Sequence, residues 1–237
     1  MFHKRRRRNL TKKDIEHLTC FCYWDSNDFL ATVFSNFPLS LKRHCVQVGA
    51  AARLMALHAP AEAIPAGVTR EEYANAVRYG SLYHDIGVYL VYNQRSFYPT
   101  AGARFLREQI NMQEITPEVQ SIILETVRYC CERYDGLGYP EKLMAKEIPL
   151  HAEICAIANA MDESMNVRRE RHARAIVESK KAIMRNREAA FSPLAIDCYI
   201  AAYGEIVYAY KCWQRTPPFW KNGDIKPLYR PIAQEIG

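Results

Sequence analysis

The chain contains the segment TPEVQSIILETVRYCC at residues 116–131, and its apolar side chains recur at the spacing of one helix face. The members of this stripe are Val119, Ile122, Ile123, Thr126, Val127 and Cys130. Thr116 and Pro117 fit the N-cap and the first helical position. The segment therefore predicts an amphipathic helix with one face in a core, and no sustained period-two alternation elsewhere in the chain competes with this pattern.

Three more apolar stripes predict helices on both sides of this segment. Their members are Val46, Ala50, Leu54 and Leu57; Ile154, Ala158 and Met161; and Ala195, Tyr199, Ala202 and Ile206. Ser192 and Pro193 fit the start of the last helix. These patterns together predict an all-α helical bundle.

A fifth helix is predicted from its caps, and it ends at a pair of polar residues. Thr69 and Glu72 have the spacing of a capping box, and the helix is expected to run to His84 and to stop near Gly87. Neighbouring residues on a helix point about 100° apart, so His84 and Asp85 reach one site only where the helix ends. An imidazole and a carboxylate are suitable ligands for divalent ions. A plain helix-terminal pair is the alternative reading of this dipeptide.

Composition and charge indicate one globular domain with two appendages. The chain has 237 residues, of which 49% are apolar and 24% are charged, and this balance excludes a disordered chain. The formal net charge is +6, but residues 4–13 alone carry seven positive charges, so the rest of the chain is almost neutral. We predict a basic N-terminal extension at 1–35, the helical domain at 36–215 and a proline-containing C-terminal tail at 216–237.

The same features limit the expected partners and location. Because the positive charge is confined to one end, nucleic acid is not an expected partner of the domain, although the arginines at 5–8 leave a weaker RNA-binding alternative open. The longest uncharged apolar-leaning stretch, 29–41, is too short to span a bilayer. No apolar segment follows the basic run as in a signal peptide. A cytoplasmic protein is expected, and the eight cysteines, which include no C-x-x-C pair, are predicted to be reduced thiols.

A glycine-rich loop, DGLGYP at 135–140, lies between the helix that ends near Cys131 and the next helix. Glu132-Arg133-Tyr134 directly precede the loop and belong to the same motif. Other motifs accompany it in order: Arg43-His44-Cys45-Val46, His84-Asp85-Ile86-Gly87, Tyr98-Pro99-Thr100-Ala101-Gly102, Glu147-Ile148-Pro149-Leu150 and Phe191-Ser192-Pro193. This series resembles the HD-GYP family of the HD metal-dependent phosphohydrolase superfamily over roughly residues 38–212. The resemblance implies an HD-domain-like helical bundle with a Gly-Tyr-Pro loop, and cyclic di-GMP as the substrate of a cluster of two or three metal ions.

The resemblance places metal ligands for Fe, Mn or Zn at His44, His84 and Asp85, and it makes His84 and Asp85 the catalytic pair if the chain is active. The remaining ligand positions differ from the family. Its other histidines correspond to Tyr98, Cys130 and Cys131, one aspartate corresponds to Asn159, and Asp162 lies on the same helical face as Asn159 and is a candidate for the missing charge. We therefore do not expect a metal cluster of the family type.

The two adjacent cysteines have two readings. Thiolates bind Zn²⁺ well, so Cys130 and Cys131 are candidate replacement ligands. However, Cys130 continues the apolar stripe of its helix, where a buried thiol behaves as a small hydrophobic side chain. The packing reading is favoured over the ligand reading.

Candidate substrate-binding residues follow from the same resemblance. Arg168 and Arg171 correspond to the two cations that the family places on the substrate phosphates, and Gly138 and Tyr139 belong to the Gly-Tyr-Pro loop. Guanidinium groups suit bidentate phosphate contacts. A solvated, charged helix face is an equally good reading of the run at 168–171.

Two functions are carried forward. The first is a divergent HD-GYP-type signalling domain with an impaired or altered metal site, which binds a cyclic dinucleotide or a signalling protein and is compatible with a homodimer. The alternative is an active metal-dependent cyclic di-GMP phosphodiesterase with non-standard ligands. The sequence does not decide between an enzyme and a binding module.

Overall fold

The computed structural model describes residues 37–91, 95–109, 115–166 and 172–215, and these contain seven α-helices. The helices are α1 (Leu39–Ala56), α2 (Arg70–Leu82), α3 (Tyr98–Gln109), α4 (Pro117–Tyr129), α5 (Leu150–Asn166), α6 (His172–Arg185) and α7 (Pro193–Arg215). Within the described residues the only β-type pairing is an isolated bridge between Arg187 and Phe191. The all-α prediction is confirmed. The predicted extension and tail lie outside the described residues, so the domain boundaries remain predictions.

The core lies between helices that are distant in sequence. Helix α1 packs against α2, α5 and α7, and α4 packs against α2, α3 and α5. Leu54, Ile123, Ile154 and Tyr199, one from each predicted stripe, are all fully buried. Each such side chain contributes about 1.5–3 kcal/mol through burial. Helices α1 and α5 are buried around most of their circumference. Within the described part of the chain no helix has the length and hydropathy of a membrane span.

The start of α2 is as predicted, but its end is not. The Thr69 hydroxyl accepts a hydrogen bond from the Glu72 amide, and the Glu72 carboxylate accepts one from the Thr69 amide at 2.6 Å. The prediction that the helix runs to His84 was wrong, because α2 ends at Leu82 and Tyr83 leaves helical geometry. His84 then donates a hydrogen bond from Nδ1 to the carbonyl of Ser81, a group that would otherwise lack a partner at the helix end.

Gly87 has a packing role as well as a position near the helix end. A Cβ atom at this residue would lie 1.9 Å from the carbonyl oxygen of Tyr98. The short 3₁₀ helix Ile86–Tyr89 therefore passes in backbone contact with the first turn of α3. Only glycine allows this approach, which sets the distance between the His84-Asp85 turn and α3.

A second buried contact joins α5 to the start of α7. Glu153 accepts hydrogen bonds from the backbone amide and the hydroxyl of Ser192 at 3.0 and 2.6 Å. The Ser192 hydroxyl also accepts from the amide of Ala195, so Ser192 is the N-cap that the sequence predicted. Burial raises the pKa of Glu153 to about 7, although the two hydrogen bonds from Ser192 oppose this shift.

We predict that Gly87→Ala destabilises the fold by about 2–4 kcal/mol, because the new methyl group collides with backbone atoms that cannot move independently. The measurement is the free energy of unfolding in urea. Gly204→Ala is the matched control, since a Cβ at Gly204, within α7, meets no atom within 4 Å. The control is expected to be neutral or to gain up to about 1 kcal/mol from helix propensity. Equal losses in both variants would contradict the close-approach argument.

We also predict a pH-dependent contribution from Glu153. The pKa of Glu153 is higher in the folded chain than the unfolded value of 4.5. Its contribution to stability is therefore complete below pH 4.5 and is lost as pH rises through about 7. Urea unfolding across this interval should show the wild-type free energy falling relative to that of Glu153→Gln, which does not ionise. Parallel pH curves for the two proteins would refute the assignment.

Candidate metal centre

Three side chains from two parts of the chain converge at one end of α1. His44 lies on α1, while His84 and Asp85 lie in the turn that follows α2. Their ligand atoms lie within 4.8 Å of one another. Asp85 is 3.6 Å from His44 Nε2 and 3.4 Å from His84 Nε2. The structure thus brings His44, His84 and Asp85 together, and that they bind a metal ion stays a prediction.

The imidazole of His84 is oriented by its own backbone. Its Nδ1 donates to the carbonyl of Ser81 at 2.8 Å, so Nε2 carries the lone pair. That Nε2 is buried and has no hydrogen-bond partner in the described structure. A buried acceptor left in this state costs about 1–3 kcal/mol. A metal ion is the partner that fits a fixed imidazole lone pair beside a carboxylate.

His44 is oriented by a buried carboxylate. Its Nδ1 donates to Asp162 on α5 at 2.7 Å, and the other Asp162 oxygen accepts from the Tyr210 hydroxyl of α7 at 2.8 Å. The Nε2 atom of His44 is then the one that faces Asp85. Burial by itself lowers the pKa of His44. The hydrogen bond and charge of Asp162, together with the charge of Asp85, raise it by more than burial lowers it, so the pKa is raised from the usual value of 6.5.

Asp162 was predicted as a candidate ligand, and the structure places it on the Nδ1 side of His44. Its carboxylate oxygens are engaged by His44 and Tyr210, and it is not part of the group that could hold a metal among the described residues. A carboxylate behind a ligating histidine fixes the ring and its tautomer. The contact therefore suits a positioning role for Asp162.

A second set of predicted positions forms contacts of its own. The Tyr98 hydroxyl lies 2.9 Å from the Sγ atom of Cys131, whose Sγ is 3.8 Å from that of Cys130. Cys130 donates to the carbonyl of Val127 at 3.3 Å and is buried in the core, as the packing reading predicted. Within the described residues these side chains are not gathered into the group formed by His44, His84 and Asp85.

The two thiols differ in their electrostatics. The hydrogen bond to Cys131 and burial raise the pKa of Cys130, which therefore stays a thiol. The hydrogen bond from Cys130, with smaller effects from Tyr139 and Tyr98, lowers the pKa of Cys131 against the cost of burial. The pair thus combines a buried donor with a half-buried acceptor.

The neutral amide of Asn159 lies on α5, on the turn before Asp162. Its Oδ1 atom is buried and lacks a hydrogen-bond partner in the described structure, while its Nδ2 atom is 3.5 Å from Glu163. A carbonyl oxygen in this state is available as a neutral acceptor. It adds no negative charge to the site, in contrast to an aspartate.

The candidate substrate-binding residues are only partly described. A Cβ at Gly138 would lie 2.4 Å from the backbone nitrogen of Arg133, so this glycine allows two backbone segments to touch. The Tyr139 ring meets the Tyr98 ring edge to face at 6.3 Å between centroids. Tyr139 therefore borders the Tyr98–Cys131 pair. Arg168 and Arg171 lie outside the described residues.

Sequence reasoning gave no specific role to several residues that shape the site. Glu132, directly after the two cysteines, is buried and accepts hydrogen bonds from two backbone amides of the loop, those of Glu141 and Leu143. The Tyr210 hydroxyl holds Asp162, which orients His44. The Ser81 carbonyl orients His84 directly. Only the Ser81 contact had a local signal, since it lies three residues before His84.

Comparisons with known proteins find similarity over part of the chain. Residues 95–193 match the family model of the HD domain, a range that begins after His84 and Asp85. A cyclic di-GMP phosphodiesterase response regulator of Xanthomonas campestris pv. campestris is 31% identical over 75 residues, which are 32% of this chain and 20% of that protein. A probable cyclic di-GMP phosphodiesterase of Vibrio cholerae is 33% identical over 69 residues, which are 29% of this chain and 16% of that protein.

A third relative and one solved structure complete the comparison. A cyclic di-GMP phosphodiesterase of Thermotoga maritima is 29% identical over 80 residues, which are 34% of this chain and 22% of that protein. The chain therefore spans only about a fifth of the length of these relatives. A crystal structure of a cyclic GMP-AMP-specific phosphodiesterase of V. cholerae aligns with a TM-score of 0.45 and 16% identity, covering 94% of this chain and 52% of that one.

We predict that Asp162→Asn weakens binding of Mn²⁺ at His44, His84 and Asp85 by about 10–100-fold, because the amide no longer fixes the Nδ1–H tautomer of His44. Calorimetric titration of the purified protein with Mn²⁺ measures this. Asp197→Asn is the matched control, since the Asp197 carboxylate is exposed on α7 and pairs with Arg187. An unchanged Mn²⁺ affinity in Asp162→Asn, with the fold intact, would rule out the positioning role.

Proposed function

We propose that the chain is an HD-GYP-type signalling domain that binds a cyclic dinucleotide at a metal site with fewer ligands than that of the family, and the match of residues 95–193 to the HD domain supports this proposal. The observation that carries this proposal is the group formed by His44, His84 and Asp85, whose ligand atoms lie within 4.8 Å of one another. The similarity to cyclic di-GMP phosphodiesterases supports the ligand class.

This site, which has fewer ligands than that of the family, is expected to hold one divalent ion, with Fe, Mn and Zn as the candidates. His44 Nε2, His84 Nε2 and one Asp85 oxygen would be its protein ligands. Two imidazoles and one carboxylate suit these borderline metals. Such an ion would supply positive charge and Lewis acidity to a phosphate group of the ligand.

The chain's own residues prepare the site for this role. His84 is held by the Ser81 carbonyl and His44 by Asp162, so neither ring needs to reorient when a ligand arrives. The side chain of Asp85 is 19% exposed and is the most accessible member of the group. A phosphate would therefore approach from the side of Asp85.

The other half of the site supports a binding function more than a hydrolytic one. Tyr98 and Cys131 bond to each other, and Cys130 bonds to a backbone carbonyl. The neutral phenol of Tyr98 and the neutral thiol of Cys130, both already hydrogen-bonded, are weak ligands for a second divalent ion. Asn159 lacks the charge that would offset one. Loss of a second ion would remove much of the charge stabilisation that phosphodiester cleavage needs.

The phosphates of the dinucleotide are proposed to meet Arg168 and Arg171, and a base is proposed to lie near Tyr139. Two guanidinium groups at a spacing of three residues suit one phosphate each. The Tyr139 side chain is partly exposed and offers an aromatic surface. A signalling protein as partner, a homodimer and a cytoplasmic location are parts of the same proposal.

We predict that the protein binds cyclic di-GMP in a calorimetric titration and binds it more tightly with Mn²⁺ present. The double variant Arg168→Ala/Arg171→Ala should lose at least about tenfold in affinity, since each charge-assisted contact contributes about 1.5–3 kcal/mol. Arg185→Ala is the control, because Arg185 is exposed at the end of α6. Absence of heat with and without Mn²⁺ would eliminate cyclic di-GMP as the ligand.

One observation favours the alternative, an active cyclic di-GMP phosphodiesterase. Both imidazoles are already fixed with Nε2 toward Asp85, which is the preorganisation expected of a working metal site. Elemental analysis and a turnover assay separate the two functions. Linear product that requires metal and disappears in Asp85→Ala would support the enzyme, while dinucleotide binding without turnover would support the signalling module.

A further inference from the structure

The adjacent thiols of Cys130 and Cys131 form a chemical group that the proposed function does not use. Cys130 is the C-cap residue of α4, and Cys131 follows it in the turn. Their Sγ atoms are 3.8 Å apart, and the Tyr98 hydroxyl lies 2.9 Å from the Cys131 Sγ. The Tyr98 hydroxyl and the Cys130 thiol thus both lie beside the Cys131 sulfur.

The five described cysteines differ in accessibility. Cys45 and Cys155 are fully buried, Cys198 is 3% exposed and Cys130 is 5% exposed, whereas Cys131 is only partly buried. A reagent from solution can therefore reach Cys131 before the other cysteines of the described chain. The Cys130 thiol, whose Sγ is 3.8 Å away, is then within reach of any product formed on Cys131.

The contacts also distinguish the chemical roles of the two sulfur atoms. The Cys130 thiol is directed to the Val127 carbonyl at 3.3 Å and lies within the core. The Cys131 sulfur has the Tyr98 hydroxyl beside it as a possible donor at 2.9 Å, and the Cys130 sulfur lies 3.8 Å away. Sulfur with hydrogen-bond donors and partial exposure has the surroundings of a reactive nucleophile, whereas sulfur in an apolar core is inert.

We propose that Cys131 is a modification site for hydroperoxides, that Tyr98 activates it, and that Cys130 resolves the product into a disulfide between adjacent residues. The Cys131 sulfur attacks one peroxide oxygen, the O–O bond breaks, and an alcohol or water leaves, so that Cys131 becomes a sulfenic acid. The Cys130 sulfur then attacks Cys131, the S–O bond breaks and water leaves. Two thiols are oxidised by two electrons, and one hydroperoxide is reduced.

The modification would change the edge of the metal centre. Closing a bond of about 2.05 Å between sulfur atoms now 3.8 Å apart moves Cys131 Sγ relative to the Tyr98 hydroxyl. The Tyr98 ring, which also contacts Tyr139, would lose its present partner. The inference is independent of the ligand and of metal occupancy, so its failure would leave the proposed function intact.

The test uses the reduced full chain, freed of metal with a chelator and exposed to hydrogen peroxide before thiol blocking with N-ethylmaleimide. Trypsin releases residues 129–133, bounded by Arg128 and Arg133, with no other cysteine in the peptide. Mass spectrometry should find this peptide lighter by two hydrogen atoms and unlabelled, and dithiothreitol should restore two labelled thiols. Two labelled thiols after an exposure that oxidises free cysteine would overturn the proposal.

Variants test the separate roles. Cys130→Ser should leave a sulfenic acid on Cys131 that reacts with dimedone, and Tyr98→Phe should slow oxidation by at least about threefold, since one hydrogen bond to the sulfur is lost. Tyr208→Phe is the matched control, because Tyr208 is exposed on α7. An unchanged rate in a folded Tyr98→Phe protein would contradict activation by Tyr98. A dimedone label on Cys130 of the wild-type chain, rather than on Cys131, would contradict the assigned order of oxidation.

Discussion

The site depends on one buried carboxylate, that of Asp162. It accepts a hydrogen bond from His44 on α1 and another from Tyr210 on α7, while it is itself carried by α5. A carboxyl group at 1% exposure is tolerated only when hydrogen bonds or charges satisfy it, so the contact ties these three helices together. The same contact selects the tautomer of His44, and with it the atom that faces Asp85.

The ring of His84 is oriented in a different way from that of His44. His84 is oriented by a carbonyl only three residues earlier, and the close contact between Gly87 and Tyr98 sets the path of the chain after it. One imidazole is therefore positioned by tertiary contacts and the other by the local end of α2. Asp85 lies between them, and the charge of this carboxylate also reaches the thiols on the far side of the site.

The site thus has two unequal halves. One half has two oriented imidazoles and a carboxylate, which is a set for a divalent ion. The other half has Tyr98, Cys130 and Cys131, whose polar atoms are engaged with one another and with the backbone. Metal coordination and thiol chemistry require different surroundings, and the described residues contain a candidate set for each.

The sequence by itself determined five of the seven described helices and the starts of those with caps, because caps such as Thr69 and Ser192 and apolar stripes act over a few residues. It also indicated that His84 and Asp85 share a site, since a helix end lies beside them. It did not reveal that Asp162 orients His44, or that Tyr98 bonds to Cys131, because those partners are 118 and 33 residues apart. Such contacts carry no local pattern. Only the packing of α1, α5 and α7, and of α3 on α4, decided them.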